Sequence, residues 1–122
     1  MDDNHVTGSI VSAAMKIHTA MGPGLFENVY KACLQHELEK RGLEVTREYP
    51  VAVVYDGVRF ELGYKADLLV EKSVIVEVKA AKPNPLFEAQ LLSYLRLTTV
   101  RLGLLLNFHV ASMKEGIKRL IV

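Results

Sequence analysis

The sequence predicts an α/β fold built on a mixed β-sheet. Three observations carry that reading. Two stretches of helical periodicity open the chain, three strand-like runs follow, and a third helical stretch stands before a wholly apolar strand. A chain of 122 residues suits a single domain, spanning 1–122, with one sizeable core. Hydrophobic residues make up 50% and charged residues 24%, the balance of a globular chain and not of a disordered one.

The elements follow in order. Ile10, Ala13, Ala14, Ile17 and Met21 recur at three- and four-residue steps, so the first helix is expected from about Val6 to Met21. Gly22-Pro23-Gly24 breaks it. A second helix runs from about Leu25 to Arg41 on the stripe Phe26, Val29, Tyr30, Cys33, Leu34 and Leu38, with Gly42 just past its end. The first strand is expected from Glu44 to Tyr55, with Pro50 marking a bulge or an edge. Asp56-Gly57 is a hairpin turn, and the second strand continues from Val58 to about Val70. Glu71-Lys72 makes the next turn into a third strand from Ser73 to about Ala80. After the loop Lys82-Pro83-Asn84-Pro85, a helix from Leu86 to Leu97 places Leu91, Leu92 and Leu95 on one side. Arg101 to Phe108 is apolar enough to be buried on both faces. The tail from Gly116 alternates as a last strand, with room for a short helix near Met113. The expected order is α-α-β-β-β-α-β-β.

Bulk properties bound the function. Net charge is +1, so any nucleic-acid surface must be a local patch, and Lys79, Lys82, Arg96, Arg101, Lys114, Lys118 and Arg119 do cluster late. Solvated faces cluster in the same way. No apolar stretch is long enough for a membrane and no secretory signal opens the chain, so a cytoplasmic location is expected. The single cysteine, Cys33, has no internal partner and reads as packing. His18 and His109 lack metal-ligand spacing to another His or Cys.

The chemistry concentrates where the apolar strands carry charge. Glu77 and Lys79 alternate with Val78, so both point to one side of the third strand. Glu77-Val78-Lys79 is the only acid-x-Lys triplet in the chain, and it stands ten residues beyond Asp67. Buried charge costs several kcal/mol unless it is paired or holds a metal. Two carboxylates and an ammonium on neighbouring strands suit a divalent cation and a phosphate. The same residues also suit a hairpin with a solvated face and a cross-strand ion pair. On the second helix Glu27 and Tyr30 share a face, and so do Gln90 and Tyr94 on the third. Taken singly, Glu27 can complement a helix dipole, and Gln90 and Tyr94 can flank an amphipathic stripe.

Together the pieces are more specific. Gly24-Leu25-Phe26-Glu27-Asn28-Val29-Tyr30, Lys65-Ala66-Asp67, Glu77-Val78-Lys79 and Gln90-Leu91-Leu92-Ser93-Tyr94 occur in an order that resembles the GxxExxY protein family, a branch of the PD-(D/E)xK nuclease superfamily. The resemblance covers nearly the whole chain. Ala66 replaces the Pro of the superfamily name, and Met21 a commoner Leu. The resemblance implies a restriction-endonuclease-like fold, a mixed central β-sheet flanked by helices. It implies Mg²⁺ or Mn²⁺ held by Asp67, Glu77, the Val78 backbone carbonyl and Glu27. Lys79, Glu27, Gln90 and Tyr94 are the implied catalytic residues; Tyr30, Tyr94 and Lys65 the implied substrate contacts. The implied reaction is phosphodiester hydrolysis in nucleic acid, DNA before RNA, by an endonuclease-like homodimer. The alternative is a nucleic-acid-binding or protein-interaction module that kept the fold without useful turnover.

Overall fold

The structure, a computed structural model, describes residues 2–122. Its helices form where caps and apolar periodicity agree. Helix α1 (Asp3–Met21) begins a turn earlier than its apolar stripe, because the Asp2 side chain accepts the His5 N–H and caps it. Helix α2 (Glu27–Lys40) follows the Gly-Pro-Gly break. Its buried face is rotated from the expected stripe: Tyr30, Lys31, Leu34, Glu37 and Leu38 face inward, whereas Phe26 is 86% exposed. Met21, expected inward on α1, is likewise exposed.

Two of the expected strands are each broken in two. The first becomes β1 (Val45–Pro50) and β2 (Val53–Tyr55); the second becomes β3 (Val58–Phe60) and β4 (Lys65–Val70). Pro50 has no N–H to extend the ladder, and Gly63 turns at φ 81°, a conformation that a side chain disfavours. The apolar alternation runs on across both breaks, which is why it concealed them. Strands β2 and β3 form a separate two-stranded ribbon around Asp56-Gly57, whose positive φ values suit a type I′ turn as expected. Glu71 and Lys72 also both adopt positive φ, and join β4 to β5 (Val74–Lys79).

Helix α3 (Pro85–Leu97), capped by Asn84, crosses over from β5 to β6 (Leu102–Asn107), which is buried throughout and parallel to β5. A 3₁₀ turn at Met113–Gly116 leads to β7 (Ile117–Ile121). The main sheet is ordered β1-β4-β5-β6-β7, mixed, with only β5–β6 parallel. Helices α1 and α2 cover one face, where Ile10, Tyr30, Leu34 and Leu38 meet Leu68, Val74, Val76 and Val78. Helix α3 covers the other, where Leu91, Tyr94 and Leu95 meet Leu69, Ile75 and Leu105. The architecture is consistent with the restriction-endonuclease-like fold. Among the described residues no helix is long and apolar enough to cross a membrane.

The seating of α3 is tight, because a Cβ on Gly103 would lie 2.9 Å from Leu91 Cδ1. Gly116 is tighter still: its Cβ would lie 2.0 Å from the Asn107 carbonyl oxygen, a backbone atom that cannot swing aside. Gly116→Ala should therefore cost at least about 1–3 kcal/mol. Gly8, exposed within α1 with nothing within 4 Å of a Cβ, should gain about 0.5–1 kcal/mol as Ala. Urea unfolding checks both, as midpoint shifts of opposite sign at constant slope.

Candidate active site

The site lies where the sheet splits. Strands β4 and β5 pair at Val70↔Val74, Leu69↔Ile75 and Leu68↔Val76, and there the ladder stops. Beyond that point β4 stays with β1, as far as Lys65↔Pro50, and β5 stays with β6, as far as Lys79↔Asn107. Two backbone N–H groups face the opening gap, and side chains meet them. Glu77 Oε2 accepts the Asp67 N–H at 2.7 Å, and Asp67 Oδ2 accepts the Val78 N–H at 2.8 Å. Each acid thus caps the other strand's broken ladder.

Both carboxylates are buried, Asp67 at 8% exposure and Glu77 at 2%. Asp67 Oδ1 lies 3.0 Å from the ammonium of Lys31, which the α2 face delivers beneath the sheet's end. Lys31 also reaches Glu48 Oε1 at 3.1 Å. Burial alone would lower the Lys31 pKa, but hydrogen bonds and charge from Asp67 and Glu48 outweigh it and hold the pKa above the usual value. Glu77 lacks such a cation. Burial, with Asp67's charge adding to it, pushes its carboxyl up to about 8. Glu27, in the first turn of α2, is also raised by burial and then by Asp67, while Lys79 and Lys31 pull it down.

Lys79 leaves the same strand face as Glu77 but forms no ion pair among the described residues. Its ammonium donates to Gln90 Oε1 at 2.9 Å and lies 5.1 Å from the centre of the Phe87 ring. Gln90 Nε2 in turn donates to the Tyr94 hydroxyl at 3.2 Å. The Tyr94 pKa is raised by burial and then by the Glu77 charge. Residues spaced four apart on α3 therefore aim one lysine, and an amide takes the place of a counter-ion.

The structure thus joins Asp67, Glu77 and the Val78 backbone in one cluster, and Lys79, Gln90 and Tyr94 in a chain beside it. Glu27 is coupled to both by charge. Among the described residues no three His, Cys, Asp or Glu side chains form a group that could hold a metal ion. Lys65 is exposed at the start of β4. Tyr30 does not join the cluster. It is fully buried, stacked on Phe108 at 4.3 Å, and its hydroxyl donates to the Gly22 carbonyl while accepting the Leu25 N–H. That ties the Gly-Pro-Gly break to the core and sets where α2 begins, which explains a Tyr three residues after Glu27 without a substrate contact. Lys31, Glu48 and Phe87 were not expected from the sequence. The available signal was the spacing Glu27, Lys31, Leu34, Leu38, which places a lysine on a buried stripe.

The two buried carboxylates at the strand split are oxygen donors of the kind that a hard cation takes, such an ion keeping several waters. The raised Glu77 carboxyl has a consequence without metal. Folding binds a proton between the unfolded carboxylate range and about pH 8. The metal-free protein should therefore lose stability as pH rises from about 5 to 8. Urea midpoints across that range should fall for the wild type and flatten for Glu77→Gln, whose neutral amide keeps an acceptor for the Asp67 N–H.

No curated protein and no solved structure matches the chain. A family model described as the PD-(D/E)XK nuclease superfamily matches residues 4–120. With almost its whole length matched, and with Asp67, Glu77 and Lys79 at the split between two strands, the chain belongs to the PD-(D/E)XK nuclease superfamily.

Proposed function

We propose that this chain is a divalent-metal-dependent nuclease of the GxxExxY branch, cutting phosphodiester bonds in DNA in preference to RNA. The observation that carries the proposal is the paired capping of Asp67 and Glu77 across the split sheet, with an unneutralised Lys79 beside it. Asp67, Glu77 and the Val78 carbonyl would hold Mg²⁺ or Mn²⁺, with Glu27 reaching it through water. When bound, such an ion supplies Lewis-acid polarisation of the phosphate and a water acidic enough to attack it.

The chain's own residues do the rest. Lys79, fixed by Gln90 and the Phe87 ring, offers its ammonium to the charge that grows on the phosphate oxygens. Its fixed direction matters, because a charge already oriented needs no reorganisation at the moment of reaction. The Tyr94 hydroxyl, next in the chain, and the exposed Lys65 would hold a flanking phosphate. Glu27 keeps the neighbourhood anionic enough to favour a divalent ion over a monovalent one.

A cytoplasmic homodimer completes the proposal. The β2–β3 ribbon exposes Val54, Tyr55, Val58 and Phe60, and twofold pairing is the commonest soluble assembly. A monomer by light scattering at tens of micromolar removes that part. The second reading, a binding module without turnover, is favoured by one observation: Asp67 is already neutralised by Lys31.

Cleavage separates the two readings. With Mn²⁺, the wild type should cut DNA, and Lys79→Ala should lose about 10²–10³ in rate while keeping its metal-induced rise in melting temperature. Asp67→Asn should lose both. Equal cutting by wild type and Lys79→Ala would assign the activity elsewhere, and salt-sensitive binding without cutting by either would favour the binding module.

A further inference from the structure

Lys31 and Glu48 have no part in the mechanism above, yet they are built around its central acid. The Lys31 side chain is 7% exposed, with its ammonium between Asp67 Oδ1 at 3.0 Å and Glu48 Oε1 at 3.1 Å. The Glu48 side chain is 44% exposed. Glu48 also has a φ of 57°, in the left-handed region that costs an L-residue with a side chain of this kind free energy. The strain has a definite place. Strand β1 pairs with β4 at Arg47↔Leu68 and again at Tyr49↔Ala66, and the residue skipped between them is Glu48, opposite Asp67. The one backbone reversal in β1 therefore falls at the residue whose side chain meets Lys31.

We propose that Lys31 is a resident counter-cation of the metal site. It neutralises Asp67 while no divalent ion is bound, and yields Asp67 to that ion by shifting its ammonium onto Glu48. The inference rests on reading Asp67 as a metal ligand. An ammonium and a divalent cation on one carboxylate repel each other, so they compete for Asp67. A buried ammonium cannot simply be released, because losing its partner leaves an uncompensated charge. Glu48 removes that obstacle. It already touches Lys31, and its partly solvated carboxylate can take the whole ammonium without further burial. A lysine suits this role, since its compact ammonium carries three donors and swings on a flexible stem. Lys31 is thus a positioning residue acting through Asp67, and Glu48 is its second seat.

The two partners should affect metal binding in opposite directions, which a purely structural role would not produce. Mn²⁺ is titrated calorimetrically into the full chain and its variants, with circular dichroism confirming the fold. Lys31→Met removes the competitor and should bind Mn²⁺ about tenfold more tightly, the scale of one charge-assisted hydrogen bond. Glu48→Gln removes the second seat and should bind about tenfold more weakly. Lys31→Met binding equal to or weaker than the wild type overturns the proposal and leaves Asp67 as a ligand. A wild type that binds no Mn²⁺ overturns the metal-site reading, and this inference with it. If Lys31→Met does not fold, the exposed Glu48→Gln decides: weaker binding supports the proposal and unchanged binding overturns it.

Discussion

The two hydrogen bonds that cross between the tips of β4 and β5 hold the rest of the site in place. Asp67 and Glu77 each accept a backbone N–H that the ending ladder would have left unpaired. A buried N–H without a partner costs about 1–3 kcal/mol, and a carboxylate without a donor costs more. The exchange satisfies both demands at once, and it lets the sheet open without leaving orphaned backbone. Neighbouring strands then separate enough for side chains from both layers to enter. Lys31 comes from α2, and Lys79 of β5 meets Gln90 of α3, so helices on opposite faces both reach the cluster.

Charge distribution follows from that geometry. Asp67 has a buried ammonium against it, while Glu77, one strand away, is held by a backbone N–H and raised by burial. Two acids in one gap thus meet different nearest partners, an ammonium for Asp67 and a backbone N–H for Glu77. Lys79 is kept apart from both by an amide and an aromatic ring, so its charge is directed and not cancelled. The tight seating of α3 on Gly103 sustains this, because Gln90 and Tyr94 sit on the helix that Leu91 anchors.

Much of this was legible in the sequence, and the reasons differ by element. The central strands were readable because β6 is apolar on both faces and β5 breaks an apolar run with charge only at its end. Glu77 and Lys79 share a strand face by alternation, whatever the tertiary detail, and Gln90 and Tyr94 share a helix face by periodicity. The spacing alone leaves ordinary readings open for each, and it is the family resemblance that groups them with Asp67. The breaks after Pro50 and at Gly63 were harder, because the apolar pattern passes through them and only one of the two residues was taken as a signal. Lys31 was hidden because a lysine in a helix reads as solvated unless the buried stripe is known; Tyr30, Leu34 and Leu38 of the expected stripe are buried, but Phe26, Val29 and Cys33 drew it to the side away from Lys31. Glu48 could not be read at all. Its backbone reversal lies opposite Asp67 in the ladder and its side chain meets Lys31, partners on two other elements that no local pattern records. Tyr30 shows the opposite case: its place on the apolar stripe of the second helix gives a core residue, as found, whereas the substrate contact implied by the family resemblance meets a hydroxyl already used by the Gly22 carbonyl and the Leu25 N–H.

Amide hydrogen exchange at Val78, resolved residue by residue by NMR, tests the cross-strand exchange most directly. Asp67→Ala removes the acceptor of the Val78 N–H and leaves the β4–β5 ladder up to Leu68↔Val76 in place. The account predicts that Val78 exchange accelerates by at least an order of magnitude in this variant, while Ile75 and Val76 keep their protection. Unchanged protection at Val78 would contradict it, because the N–H would then have a partner other than the carboxylate on which the site is built.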